Sequence, residues 1–386
     1  MKMSKPSARS RTATSFASPS PAGGPLSDWP NDDLLFEQKH RDFIWRRHPN
    51  AAPIFDWPEL RDLFGAHDPP AGHFRARSRR LGLAAVGLGC ASLVLSAFLA
   101  AISLGAPGAV PWLGALAALL AVASGIFGFS GVLSGRDKSR WLNHRFWTER
   151  MRQLHFQLIV NNLPDASAAI ADPARHQDWF ALRAAALDAF EHAYMGPLAE
   201  SLERMREDLA LDRPWLDDRW SQPAPVPQPS PATDELFMLL KQQRFGIQRR
   251  YATYKLMEGR HSPRTRSRWL RTSADLLTVL TLLVAIALGL VYLFADSQHG
   301  AVAVLAGAGG ALAALILSLR VLDEGLLLRS ETERYLWYLA AVESLERRYE
   351  AGDAAAKVAV LREMERLSYQ ELRWFTVTFD ESRFVM

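Results

Sequence analysis

The chain has 386 residues, 49% of them hydrophobic, with 45 Lys and Arg against 41 Asp and Glu, a formal net charge of +4. This modest net charge hides how the basic residues are distributed, and a single cysteine excludes an intramolecular disulfide framework. The apolar residues are gathered into four unbroken blocks instead of being spread through amphipathic segments, which excludes an ordinary soluble two- or three-domain protein.

Residues 1–27 are rich in Ser, Pro and Arg, carry no acidic residue, and have no apolar region of the kind a secretory signal requires. They read as a disordered basic N-terminus; a transit peptide shares part of this composition but needs an amphipathic helix. Residues 28–163 form a first two-span unit. Its opening stretch, Asp32 to Arg47, predicts a helix with a partly apolar face. A basic entry follows at Arg75, Arg77, Arg79 and Arg80, then spans at 81–104 and 110–133, joined by the short loop Gly105 to Ala109. Neither span contains Asp, Glu, Lys, Arg or His, and each has the roughly 20 helical residues needed to cross a hydrocarbon core of about 30 Å. Gly82, Gly87 and Gly89 lie inside the first span with no preceding strand and no phosphate-binding lysine, so they read as packing positions. Ser92, Ser96 and Ser103 share one stripe of that span, a candidate for pore lining or for hydroxyl glue between helices. Gly125, Gly128 and Gly131 in the second span nominate a close-packing face, and Cys90 reads as a small packing residue.

Beyond this hairpin Arg136, Lys138, Arg140 and Arg145 leave the membrane, and Ser139 to Asn162 predicts a helix ended by Pro164. Trp141, His144, Thr148, Met151 and His155 lie along one side of it, with Glu149, Arg150 and Arg152 elsewhere. His144 and His155 are too far apart, among scattered acids, for an expected zinc site. Residues 164–222 predict a cytoplasmic helical segment broken at Gly196-Pro197, and 223–233 a proline-rich, extended linker.

The second unit, 234–386, opens with a predicted helix from Asp234 to Tyr251, in which Arg244, Ile247, Arg249 and Arg250 match Arg41, Ile44, Arg46 and Arg47. Arg260, Arg264, Arg266, Arg268 and Arg271 precede spans at 276–295 and 301–319, joined by Asp296 to Gly300. Thr278 and Thr281 form a smaller hydroxyl patch, and Ala303, Gly307 and Ala311 a second small-residue face. Leu326 to Glu350 predicts a helix, Gly352-Asp353 a break, and Ala354 to about Arg373 a last helix. Val377, Phe379 and Phe384 fit either a short strand or an extended tail.

The two units repeat one design. Arg75-Ala-Arg77-Ser78-Arg79-Arg80-Leu81 recurs as Arg264-Thr-Arg266-Ser267-Arg268-Trp269-Leu270, and Thr148-Glu149-Arg150 recurs as Thr332-Glu333-Arg334. The expected fold class is an all-α membrane protein of two tandem helical hairpins with cytoplasmic helical extensions. Lys and Arg crowd one end of every hairpin and are absent from both tips, which places the tips outside and both termini in the cytoplasm. Anionic headgroups of the inner leaflet account for these cations better than nucleic acid does. Trp112, Tyr292 and Phe294 at the outer ends, with Trp141 and Trp269 at the inner ends, read as interfacial aromatics.

A basic entry, a two-span hairpin, a helix carrying Glu-Arg and a terminal helix LREMERLSYQELRW (Leu361 to Trp374) resemble the SLATT family, the SMODS- and SLOG-associating two-transmembrane effector domains of bacterial conflict systems. The resemblance covers each hairpin with its flanking helices, most clearly Arg264 to Phe375. It implies an inner-membrane effector in antiviral defence, in which a partner makes or senses a nucleotide signal and the hairpin protein oligomerises to permeabilise or depolarise the membrane. The chain departs by carrying two units and no recognisable nucleotide-binding domain.

No HExxH, CxxC, Walker A or GxSxG pattern stands in a suitable context, so neither an enzyme nor a cofactor is expected. Four spans are too few to enclose a wide pore, so a homo-oligomer is expected. The alternatives are a membrane anchor that recruits cytoplasmic partners and a small transporter or channel subunit. The lack of an ionisable residue at mid-membrane weighs against an ion-coupled transporter.

Overall fold

The structure, a computed structural model, describes residues 31–133, 136–217, 222, 225–257, 262–294 and 299–381. The expectations for 1–27, for the start of the proline-rich linker, for most of the loop of the second hairpin and for Phe384 lie outside the described residues. Among the described residues the fold is helical with no strand, and four helices are long and apolar enough to cross a membrane. The chain is a multi-pass membrane protein.

In chain order the elements are α1 (Gln38–Arg47), α2 (Ala52–Phe55), α3 (Pro58–Gly105), α4 (Val110–Gly128), α5 (Arg136–Asn161), α6 (Leu163–Ala171) and α7 (His176–Tyr194). They continue as α8 (Leu198–Ala210), α9 (Pro231–Leu240), α10 (Ile247–Leu256), α11 (Pro263–Phe294), α12 (His299–Gly325), α13 (Leu328–Ala351) and α14 (Ala354–Glu381).

Several boundaries differ from those the sequence predicts, each for a local reason. The first helix begins at Gln38, not Asp32, because the Asp32 carboxylate accepts from the amides of Phe36 at 2.6 Å and Glu37 at 3.0 Å while Leu35 is left-handed at φ 59°. Such side-chain capture of backbone amides competes with helix formation. The predicted Asp234–Tyr251 helix starts at Pro231 and passes through a π-helical stretch, Lys241–Gly246, between α9 and α10. Ser230 caps it by accepting from Thr233 N at 3.1 Å, with Pro231 in the first turn where a missing N–H costs nothing. At the C-terminus Val377 and Phe379 are neither strand nor tail: α14 carries them, and Phe379 is buried edge-on against Trp141. That contact also corrects the interfacial role expected of Trp141, which is 5% exposed, whereas Trp269 is 65% exposed at the base of α11.

The spans lie within α3, α4, α11 and α12. Among the described residues α3 packs on α4, α12 on α11, and the hairpins meet chiefly through α3 and α12, giving the lateral order α4–α3–α12–α11. This is an open row and not a closed bundle. Gly307 of α12 lies over Ala97, and Cys90 Sγ stands 4.0 Å from Ala314 O, so α12 runs antiparallel to α3 and the two hairpin tips point the same way. A side chain at Gly307 has no space, since a Cβ there would stand 2.9 Å from the Ala97 carbonyl oxygen and 3.1 Å from the Phe98 ring.

The soluble helices of both units share one body. One core cluster joins Leu35, Ile44 and Phe55 from the first unit to Phe237, Phe245, Tyr349 and Met364 from the second. Another packs Phe64, Phe146, Met151 and Leu154 against Tyr369 and Leu372 of α14. The middle helices α7 and α8 complete it through Phe190, Met205 and Leu209.

The α3–α12 approach gives a first prediction. A cysteine at Ala314 should crosslink to the native Cys90 under mild oxidation. Gly307→Leu should abolish that crosslink and lower thermal stability by on the order of 1–3 kcal/mol, the usual cost of overpacking. Absence of the crosslink in the otherwise unaltered chain would show that the hairpins do not meet along this line.

Candidate functional site

Where the membrane helices enter the body, the two repeated motifs meet charge in different ways. The serine of RxRSRxL has the same role in both copies. Ser78 Oγ donates to Gly131 O at 3.0 Å, and Ser267 Oγ donates to Asp323 Oδ1 at 3.0 Å, so each clasps the base of its own hairpin. Around these clasps the entry arginines form a polar collar. Arg75 pairs with Glu331 at 3.2 Å, Arg77 with Asp137 at 3.2 Å, and Arg271 with Asp323 at 3.1 Å. Arg80, Arg264 and Arg268 are exposed, and Arg79 and Arg266 stand close enough to repel.

The Thr-Glu-Arg copies diverge. Glu149 and Arg150 sit on α5, which is enclosed by α3, α7, α8 and α14. Arg150 is wholly buried beneath the rings of Phe146, Tyr194 and Tyr369, and donates to Asp208 at 3.0 Å and to the carbonyls of Arg213 and Pro214. Its counterpart Arg334 is buried too but pairs with Glu371 of α14 at 2.6 Å. Glu333 is exposed and bonded to Arg329, whereas Glu149 is enclosed between Arg145 and Arg152. Arg150 and Arg334 are thus charges that pair one helix with another, while Glu333 is solvated.

From Glu149 a buried ionic seam runs across the body. Arg152 Nε reaches Asp33 at 3.3 Å, Asp33 lies 3.8 Å from Arg244, and Arg244 grips Glu365 with Nε–Oε1 at 2.6 Å and Nη2–Oε2 at 3.0 Å. Ser368 accepts from Arg244 at 2.7 Å, and Gln248 bridges Asp33 at 2.9 Å to the Tyr338 hydroxyl at 3.2 Å. Burial pushes the Glu365 carboxyl up to about 7 against the pull of Arg244. Burial likewise raises Asp33 against Arg152 and Arg244, while at Glu149 the surrounding arginines outweigh burial and lower it. The void enclosed by these groups is about 20 Å³, the space of a single water. The seam ties together α5, α10, α13 and α14.

The two histidines weighed as metal ligands do not meet. His144 lies against His67, Nδ1 to Nδ1 at 3.1 Å, and His155 is buried among Phe55, Trp57 and Phe156. Among the described residues no group of three or more His, Cys, Asp or Glu is arranged to hold a metal ion.

In the spans, the serines of the first stripe separate. Ser92 is buried and donates to Ala117 O across the hairpin at 2.7 Å, Ser96 is exposed, and Ser103 bonds back to Ala100 O. Thr278 and Thr281 also bond back, to Ala274 O and Leu277 O, both at 2.8 Å. Gly128 and Gly131 press on Ala85 and Leu81 within the first hairpin, while Gly125 faces open space. Gly307 and Ala311 face the other hairpin or are buried, and Ala303 is partly exposed. The serine clasp from Ser124 Oγ to Ala85 O at 2.7 Å is one the sequence reading missed. Comparison of the chain with protein-family models, with curated proteins and with solved structures gave no match.

Two predictions follow from the burial of these groups. Arg244→Met alone should destabilise the body by about 3–5 kcal/mol, because it strands a buried carboxylate, and Arg244→Met with Glu365→Leu should recover much of that loss. Equal losses in single and double variants, in chemical unfolding of the detergent-solubilised chain, would refute the pairing. His155, forced by burial and by Arg183 and Arg244 down to about 3, is neutral in the folded state. Its contribution is intact above the unfolded value near 6.5 and is lost as pH falls from there toward 3. His155→Phe should therefore gain stability relative to the parent at pH 5, by about 2 kcal/mol, and show no such gain at pH 8.

Proposed function

We propose that the chain is a non-enzymatic membrane effector of a bacterial defence system, which oligomerises to permeabilise or depolarise the inner membrane when its cytoplasmic body is triggered. The observation that carries this reading is the open row of spans. α4 and α11 close the row at neither end, and their outward flanks expose Leu119, Val122 and Ile126 on one and Val279, Leu283 and Ile286 on the other. Lipid satisfies such flanks in a lone chain, and a second copy satisfies them in a ring. The resemblance to the SLATT family points the same way, and the seam supplies a stiff link from the body to both hairpin bases. The basic collar supports a cytoplasmic side for the body and both termini.

A membrane anchor is the second reading, favoured by one feature. The hydroxyls of Ser92, Ser124, Thr278, Thr281 and Ser318 are all spent on backbone carbonyls, which leaves little polar surface to line a conduit.

Induced expression in bacteria loaded with a potential-sensitive dye separates the two. An effector depolarises the cells, and a Leu283→Cys variant in a Cys90→Ala background yields a self-crosslinked dimer in membranes. Steady potential and normal growth, with and without the neighbouring genes, favour the anchor. For orientation, a cysteine at Ala106 should react with an impermeant maleimide on intact cells and one at Ser230 should not; the reverse pattern overturns the assigned topology.

A further inference from the structure

An open groove of about 790 Å³ lies on the body between α1, the π-helical stretch, α10 and α13, within the size range of small-molecule sites. Four cations line it, Arg47, Lys241, Arg249 and Arg250, against two carboxylates, Glu235 and Glu346. The carboxylates are already engaged. Glu346 pairs with Arg249 at 3.0 Å, and Glu235 accepts from the amides of Asn50 and Ala51 at 3.2 and 3.1 Å. Lys241 is held by Glu350 at 2.5 Å. Among the described residues Arg47 and Arg250 make no direct ion pair; the carboxylate that acts on Arg250, Glu346, is already paired with Arg249. Arg250 Nε and Nη2, and Gln242 Nε2 beside them, are withdrawn from solvent with no hydrogen-bond partner. Unmet buried donors of this kind are costly, and here three of them border one cationic groove. Burial, and then the adjacent Arg249, lower the pKa of Arg250 from its ordinary value, and Glu346 offsets only part of that.

The internal repeat supplies an independent observation. Arg47 and Arg250 occupy matched positions in the two copies, three residues after Ile44 and Ile247, which are both fully buried. The duplication thus brings two equivalent arginines to one groove from opposite units.

We propose that this groove is a binding site for a soluble anion carrying two phosphate groups, gripped by Arg47 and Arg250. Guanidinium forks suit phosphate because they donate in parallel pairs. A lipid headgroup offers the same chemistry, but Glu346 lies eighteen residues along α13 from Leu328 at its membrane end, about 27 Å at helical rise. The site therefore takes its ligand from solution. It stands apart from the membrane-lesion reading, since the groove can bind an anion whether or not the spans conduct.

The test uses the full chain in nanodiscs of phosphatidylcholine, with inorganic pyrophosphate as the probe, by calorimetry and thermal melting. Saturable binding with a raised melting temperature is expected. Arg47→Gln and Arg250→Gln should each weaken binding by at least about tenfold, the loss of one charge-assisted contact, while Arg204→Gln on α8 leaves it unchanged. Arg47 is exposed, so its variant reports on binding without endangering the fold. A second arm repeats the titration in nanodiscs containing phosphatidylglycerol. Unchanged affinity supports a soluble ligand; pyrophosphate binding blocked by that lipid assigns the site to a headgroup and overturns the proposal. No saturable binding, or equal binding by Arg47→Gln, Arg250→Gln and the parent, also overturns it.

Discussion

The pairing of Arg244 with Glu365 and Asp33 constrains more of this molecule than any other interaction. A guanidinium and carboxylates withdrawn from water each cost several kcal/mol, and only near-ideal geometry among them recovers that cost. The seam therefore tolerates one arrangement of the helices that carry it. Arg152 is on α5, Arg244 precedes α10, Glu365 is on α14, and Asp33 leads into α1. Four segments separated by long stretches of chain are fixed together. Because α5 follows the first hairpin and α13 the second, fixing the body also fixes the spacing of the hairpin bases.

The duplication explains which parts of the design stayed alike. At a hairpin base both copies face the same problem, to join two helices where lipid gives way to water, and a buried serine between arginines solves it in both. Higher in the body the copies face different surroundings. α5 is enclosed, so its Thr-Glu-Arg turns both charges inward, while α13 is half exposed and keeps only Arg334 inside, against Glu371. A repeat in sequence predicts a repeat in structure only where the environment repeats as well.

That distinction also sets how much was legible in the residues. The bilayer imposes length and polarity so strictly that spans, short tips and basic bases could be read directly, and the four apolar helices follow. The buried arginines could not, because period analysis assigns charge to the solvent face. The signal available was the aromatic company they keep: Phe146 stands one turn before Arg150, and Tyr335 follows Arg334, both under cation–π contact. Likewise Trp141 looked interfacial by position, yet Phe375 and Phe379 of a distant helix cover it. The serine stripe left helix glue and pore lining open for a related reason. Ser92, Ser96 and Ser103 share a direction, but a shared direction on one helix does not say whether a neighbouring carbonyl stands there to consume the hydroxyl.

The contrast between body and membrane rows decides where this molecule can move. In the body, ion pairs fix register, and any slip strands a buried charge. Between α3 and α12 no ion pair exists among the described residues; Gly307 and Gly310 lie against Ala97 and Phe98, and Cys90 against Ala314. Such contacts gain only dispersion energy, and lipid replaces much of it when they part. The two hairpins are thus held at their bases by charge and along their lengths by packing alone. A change in the body that alters the angle between α5 and α13 is resisted at the seam but met by little resistance at mid-membrane. The inter-hairpin contact, held by the close approach at Gly307 and without an ion pair, is therefore the more compliant element.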